Sequence, residues 1–165
     1  MTIEQIAREA GQSRTSFYFL FSDKRELLEA AAGELTDFVA GAAERWLADP
    51  DGDRAALEDA LLTLAHGFIE HAPLLRAVVE TSTYDTEVGS FWRELVGRYI
   101  AATTTRLRDS GAAHGERAEV TAAALVWMTE RTLYQQAIQD DRHAVETVVA
   151  GLADVWWRTL SAAGT

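Results

Sequence analysis

The sequence predicts an all-α protein. Apolar residues recur at helical spacing through nearly the whole chain, the strict apolar–polar alternation of strands is almost absent, and proline occurs only twice. Thr2 is placed to cap a short helix, Ile3–Ala10, whose Ile3, Ile6, Ala7 and Ala10 share a face. Gly11 ends it, as the residue that enters the left-handed region most readily. Ser13 is placed to cap a second short helix, Arg14–Leu20. Ser22 or Asp23 caps a long third helix, Lys24–Leu47, striped by Leu27, Leu28, Ala31, Leu35, Phe38 and Ala42. Ala48–Asp53 reads ADPDGD, a turn by composition. Five helices are expected after it: Arg54–His71, Pro73–Ser82, Glu87–Asp109, Ala118–Gln139 and His143–Ala162, with Gly111–Gly115 as a loop. Pro73 suits a first helical turn, where its missing N–H costs nothing.

The 165 residues are enough for one domain with a core of its own and a small appended module. They divide into residues 1–46, the two short helices with the long connecting helix, and residues 47–165, the helices that follow. Cysteine is absent, which removes disulfides, thiolate metal sites and cysteine nucleophiles together. The N-terminus lacks the basic and apolar regions of a signal peptide. The longest uncharged apolar window, Val120–Thr129, is half the length a membrane span needs. A soluble cytoplasmic protein with no membrane partner is expected.

The net charge of −11 argues against nonspecific nucleic-acid binding. Its distribution is uneven. Residues 1–25 carry four basic side chains (Arg8, Arg14, Lys24, Arg25) against three acidic ones, so the whole negative excess lies further on. Within this first segment, helix, glycine turn and helix are arranged as in a helix-turn-helix. The start of its second helix presents Ser13, Arg14, Thr15 and Ser16, small and polar as entry into a major groove requires. Tyr18 adds a ring with a hydroxyl, and Lys24, the only lysine of the chain, stands at the start of the next helix as a point charge for phosphate. A plain helical hairpin has the same pattern, in which Phe17 and Phe21 hold the hairpin onto the long helix.

The segment IAREAGQSRTSFYFLFSDKRELL closely resembles the N-terminal signature of the tetracycline-repressor (TetR) family of regulators. The resemblance implies an all-helical homodimer that reads a palindromic double-stranded DNA operator and binds a small molecule in its C-terminal part. It places Arg14, Thr15, Ser16, Tyr18 and Phe19 at DNA-contacting positions, beside Ser13, and Lys24 at a phosphate. Phe19 stands where the family often has histidine, so a polar backbone contact is expected to be missing. The family's first helix has no counterpart ahead of Ile3, and weak or absent DNA binding is expected on that ground. A helical dimer that binds small molecules without binding DNA is the alternative function.

Aromatic stripes dominate the remaining helices: Leu57, Leu61, Leu64 and Phe68; then Trp92, Val96 (or Leu95), Tyr99 and Thr103; then Val126, Thr129, Glu130, Leu133 and Tyr134; then Val145, Val149, Leu152, Val155, Trp156 and Leu160. Such stripes build an ordinary core, yet an apolar cavity with a few convergent polar groups is also what a ligand pocket needs. Glu130 on such a stripe calls for a partner, and Arg131, about 100° around the helix, is poorly placed to be it. Adjacent Trp156 and Trp157 cannot share an environment, so one is expected near the pocket and the other toward a second subunit. WMTERTLYQQAI and FWRELVGRYIAATTTRL resemble the ethionamide-resistance-type (EthR) branch of the family. That resemblance implies an aromatic tunnel for a hydrophobic effector, lined here by Leu64, Phe68, Trp92, Val96, Tyr99, Thr103, Val126, Thr129, Glu130, Tyr134 and Trp156. It also implies a homodimer through the last two long helices. Val126 and Thr129 replace two amide residues of the branch, which points to a more apolar ligand.

No catalytic motif is present, and no enzyme is expected. HGFIEH (His66–His71) has the wrong spacing for a zinc helix, since His71 points about 140° away from His66. No metal or cofactor is expected.

Overall fold

The computed structural model describes residues 41, 43–49, 51–139 and 143–161. The helix-turn-helix, its DNA-facing residues Ser13, Arg14, Thr15, Ser16, Tyr18, Phe19 and Lys24, and most of the connecting helix lie outside the described residues. Within them every regular element is a helix. Residues 43–48 form the end of one helix, followed by α1 (Arg54–Glu70), α2 (Ala72–Thr81), α3 (Thr86–Asp109), α4 (Gly115–Ile138) and α5 (Val145–Ser161). No described helix is long and apolar enough to cross a membrane.

The helix boundaries follow from capping groups. Asp53 is extended and its carboxylate accepts from the Ala56 N–H at 2.8 Å, which opens α1. Asp85 does the same for α3, accepting from the Glu87 and Val88 N–H groups. Pro73 sits in the first turn of α2, as expected. After α3, Gly111 takes φ +74°, which lets the chain fold back so that the Ala113 N–H reaches the Leu107 carbonyl. Helix α4 opens at Gly115, three residues before the expected Ala118, and α5 opens at Val145 rather than His143. The early start of α4 adds Gly115, Glu116 and Arg117 to the helix. All three are exposed, so apolar periodicity carries no mark of them.

The main packing pairs are α3 along α4 and α1 along α5, with α1 also crossing α4 and α2 wedged against α3 and α4. Leu57, Leu75, Val88 and Leu133 are at most 2% exposed and form the centre of this packing. Each contributes about 1.5–3 kcal/mol relative to an exposed side chain. The α2–α3 turn is close enough that a Cβ on Gly89 would stand 2.8 Å from the Ser82 carbonyl oxygen, so only glycine fits there.

The segment before α1 is drawn into the same core. Trp46 is 5% exposed, its ring edge meets Trp156 of α5 with centroids 5.9 Å apart, and its Nε1 donates to the Asp53 carbonyl at 3.3 Å. Arg106 of α3 holds this segment from the other side. Its guanidinium donates to the carbonyls of Trp46 (2.8 Å), Asp49 and Gly52 (3.1 Å), and it lies 3.9 Å above the Trp46 ring. One side chain thereby bonds three carbonyls of the helix end and turn; those of Trp46 and Asp49 also accept the Asp49 and Gly52 N–H groups.

Arg106→Ala is expected to destabilise the protein by about 2–4 kcal/mol, the scale of losing charge-assisted hydrogen bonds to half-buried carbonyls. Chemical denaturation measures the loss, and hydrogen exchange is expected to accelerate first at residues 46–53. Lysine at the same position retains the charge without the planar fork and is expected to restore less than half of it.

Candidate functional site

Between α1, α3, α4, α5 and the segment 43–48 lies a cavity of about 110 Å³ whose wall is almost entirely carbon. Ala43, Trp46 and Leu47 enter from the preceding segment; Leu57, Ala60, Leu61, Leu64 and Phe68 from α1; and Leu75 from α2. Helix α3 supplies Trp92, Leu95, Val96, Tyr99 and Thr103, α4 supplies Val126, Thr129 and Glu130, and α5 supplies Trp156. On α1, α3 and α4 the wall residues follow the three- and four-residue spacing of one helix face, which is why they converge on one hollow.

Every residue that the sequence places in a ligand pocket lines this cavity except Tyr134. Tyr134 is buried one turn beyond Glu130, under the Arg131 guanidinium at 5.2 Å. Its hydroxyl is pushed up by burial and feels Glu80 and Arg76 of α2. The apolar stripe of α4 continues past the end of the cavity, and α2 covers it there. Trp156 and Trp157 separate as expected for the first: Trp156 is 6% exposed and in the wall. Trp157 is half-buried against the core beside Leu160, and the exposed large side chains of α4 and α5 are Val120, Trp127 and Val155.

The polar groups of the wall differ in how well they are satisfied. Thr129 Oγ1 donates to the Leu125 carbonyl (2.9 Å) and accepts from Trp156 Nε1 (2.8 Å), which rivets α4 to α5. Tyr99 is pushed up to about 12, first by burial and then by Glu44, so its hydroxyl is neutral at physiological pH. Thr103 Oγ1 and both carboxylate oxygens of Glu130 are buried and find no hydrogen-bond partner among the described residues. The partner expected for Glu130 is therefore missing. Arg131 Nε stands 3.8 Å from Oε2, but that side chain is half exposed.

Two family descriptions match the chain. "Transcriptional regulator EthR, C-terminal domain" covers residues 57–162, and "Bacterial regulatory proteins, tetR family" covers residues 1–31. The chain belongs to the EthR-like branch of the TetR family. Among similar curated proteins is the HTH-type transcriptional regulator EthR of Mycolicibacterium smegmatis, 30% identical over 97% of this chain and 76% of that protein. The EthR proteins of Mycobacterium tuberculosis and Mycobacterium bovis are 27% identical over 94% of this chain and 76% of theirs. The match to the EthR C-terminal domain begins at Leu57, so it contains every cavity residue from α1 onward. Trp46 and its two neighbours in the wall lie before it. Sequence reasoning missed these three for a related reason: on the connecting helix they read as a link between modules rather than as a wall.

In this EthR-like regulator Glu130 is the one acid among the described wall residues, and burial raises its carboxyl above the ordinary range while Arg131 pulls it back in part. A raised pKa means that the folded state holds this proton more tightly than the unfolded chain. The benefit is complete at low pH and is lost as pH climbs from about 4, the unfolded value, through the folded one. Glu130→Gln is therefore expected to melt higher than the parent at neutral pH, and the gap is expected to close below about pH 4. Melting temperature followed against pH tests the sign directly.

Proposed function

We propose that this EthR-like regulator is a cytoplasmic homodimeric repressor that leaves a palindromic operator when a hydrophobic small molecule fills the cavity. The observation that carries the proposal is the presence of Ala43, Trp46 and Leu47 in the cavity wall. These residues end the segment that joins the TetR-like N-terminal match at residues 1–31 to the EthR-like match beginning at Leu57. A molecule entering the cavity meets the joining segment itself, and its occupancy need not be relayed through intervening layers. An occupant that fits only with Trp46 displaced shifts the population toward arrangements that hold the DNA-facing modules out of register.

The order of contacts supports this reading. Trp46 is gripped between Trp156 at the wall and Arg106 behind it, and Arg106 holds the turn that follows. A shift of the indole therefore breaks a set of contacts together, which favours two discrete arrangements over gradual bending. Dimerisation supplies the second reading head that a palindrome needs. Exposed Val120, Ala124, Trp127 and Arg131 follow one face of α4, and Val155 is exposed on α5. Trp127 at 38% and Val155 at 45% exposure support a second copy as the cover for these helices.

Operator affinity is expected to fall about 5- to 150-fold when the cavity is saturated, the range of ordinary allosteric coupling. Fluorescence anisotropy on operator DNA at fixed salt measures it, and an unchanged affinity at saturation defeats the coupling. Trp46→Ala is expected to keep ligand binding and lose most of the coupling. Trp127→Arg is expected to shift the protein to monomer in sedimentation velocity, with its helical content retained.

A further inference from the structure

The cavity has an almost purely carbon wall, and just behind it, on side chains that line it, lie three buried oxygens that nothing in the described protein satisfies. Thr103 is 1% exposed and Glu130 is 6% exposed. Leaving such groups unpaired is costly, and folded proteins do so rarely. Thr103 is the exception among its neighbours as well. Thr104 and Thr105 donate back to the carbonyls of Ile100 and Ala101, and Thr129 does the same to Leu125, whereas Thr103 leaves its hydroxyl unused.

The remaining polar groups narrow what would satisfy these oxygens. The Trp156 N–H is taken by Thr129, and the Thr129 hydroxyl is taken by Leu125 and Trp156 together. The Glu130 oxygens and Thr103 Oγ1 are therefore left as acceptors, with the Thr103 hydroxyl able to donate once. A ligand carbonyl or carboxylate gains little from such a set, and an ionised acid would meet Glu130 as a like charge. A group that carries several N–H donors and positive charge gains most.

We propose that the cavity selects apolar molecules bearing a basic nitrogen, an alkyl- or arylalkyl-ammonium group, with Glu130 as its counter-ion and Thr103 as a further contact. This rests on the reading of the cavity as a ligand site and adds the chemical class of the ligand. Burial also raises the Glu130 carboxyl, a cost that a cationic partner would offset. Arg131 does not occupy that role, because at 3.8 Å and half exposed it leaves both oxygens without a hydrogen bond.

Isothermal titration calorimetry with n-octylamine, n-octanol and n-octane at neutral pH and physiological salt tests the proposal on the full chain. The amine is expected to bind about ten-fold or more tighter than the alcohol, the ratio that one charge-assisted hydrogen bond produces. Glu130→Gln is expected to bring the two within about two-fold of each other, chiefly by weakening the amine. Thr103→Val is expected to weaken the amine several-fold. An alcohol that binds as tightly as the amine to the parent protein overturns the proposal without recourse to any variant. So does amine selectivity that survives in Glu130→Gln. Both outcomes leave the ligand cavity itself standing. Failure of all three probes to bind removes the proposal together with the ligand-site reading beneath it.

Discussion

The structure depends on the grip of Arg106 on the segment that precedes α1. A helix that ends and turns points its last carbonyls outward, and those of Trp46, Asp49 and Gly52 all accept from one guanidinium. The same guanidinium stacks on the Trp46 ring, and that indole forms part of the cavity wall. One side chain on α3 thus fixes both the chain direction into the core and the shape of the cavity. Burial draws the Arg106 pKa down, with nearby Asp49 acting against it. Arginine tolerates such a site because its charge persists and its planar fork reaches several acceptors at once.

The remainder of the core is arranged around this grip. The α3–α4 and α1–α5 pairs leave a hollow where their aromatic stripes meet, and the Thr129–Trp156 bond ties α4 to α5 at its wall. A second, smaller cluster of Leu107, Ala113, Ala118 and Ala122 secures the α3–α4 loop, with small residues allowing close approach. The cavity is bounded by packed helices and by the helical segment carrying Trp46.

Much of this is legible in the sequence because helical periodicity reports directly on which face is buried. Spacing and family likeness are enough to place Leu64, Phe68, Trp92, Val96, Tyr99 and Thr103 together. Tyr134 shows where that signal stops, since a stripe marks a buried face without marking whether its neighbour is a cavity or another helix. Arg106 has no signal at all. A side chain that satisfies carbonyls recognises backbone, and backbone acceptors are the same whatever residues carry them. The missing partner of Glu130 is the reverse case. The residue type foretells a need, and the structure leaves that need unmet within the described protein.

The cavity is also lined by an unusual share of the chain's indoles. Of five tryptophans, Trp46, Trp92 and Trp156 form part of its wall, and two of these meet edge to face at 5.9 Å. Rings at that separation couple their excited states, so their near-ultraviolet dichroism depends on their mutual angle as well as on their surroundings. Arg106 above Trp46 adds a fixed positive charge that shifts the emission of that indole alone. The protein consequently carries an intrinsic optical gauge at the junction where the cavity meets the segment leading toward the N-terminus.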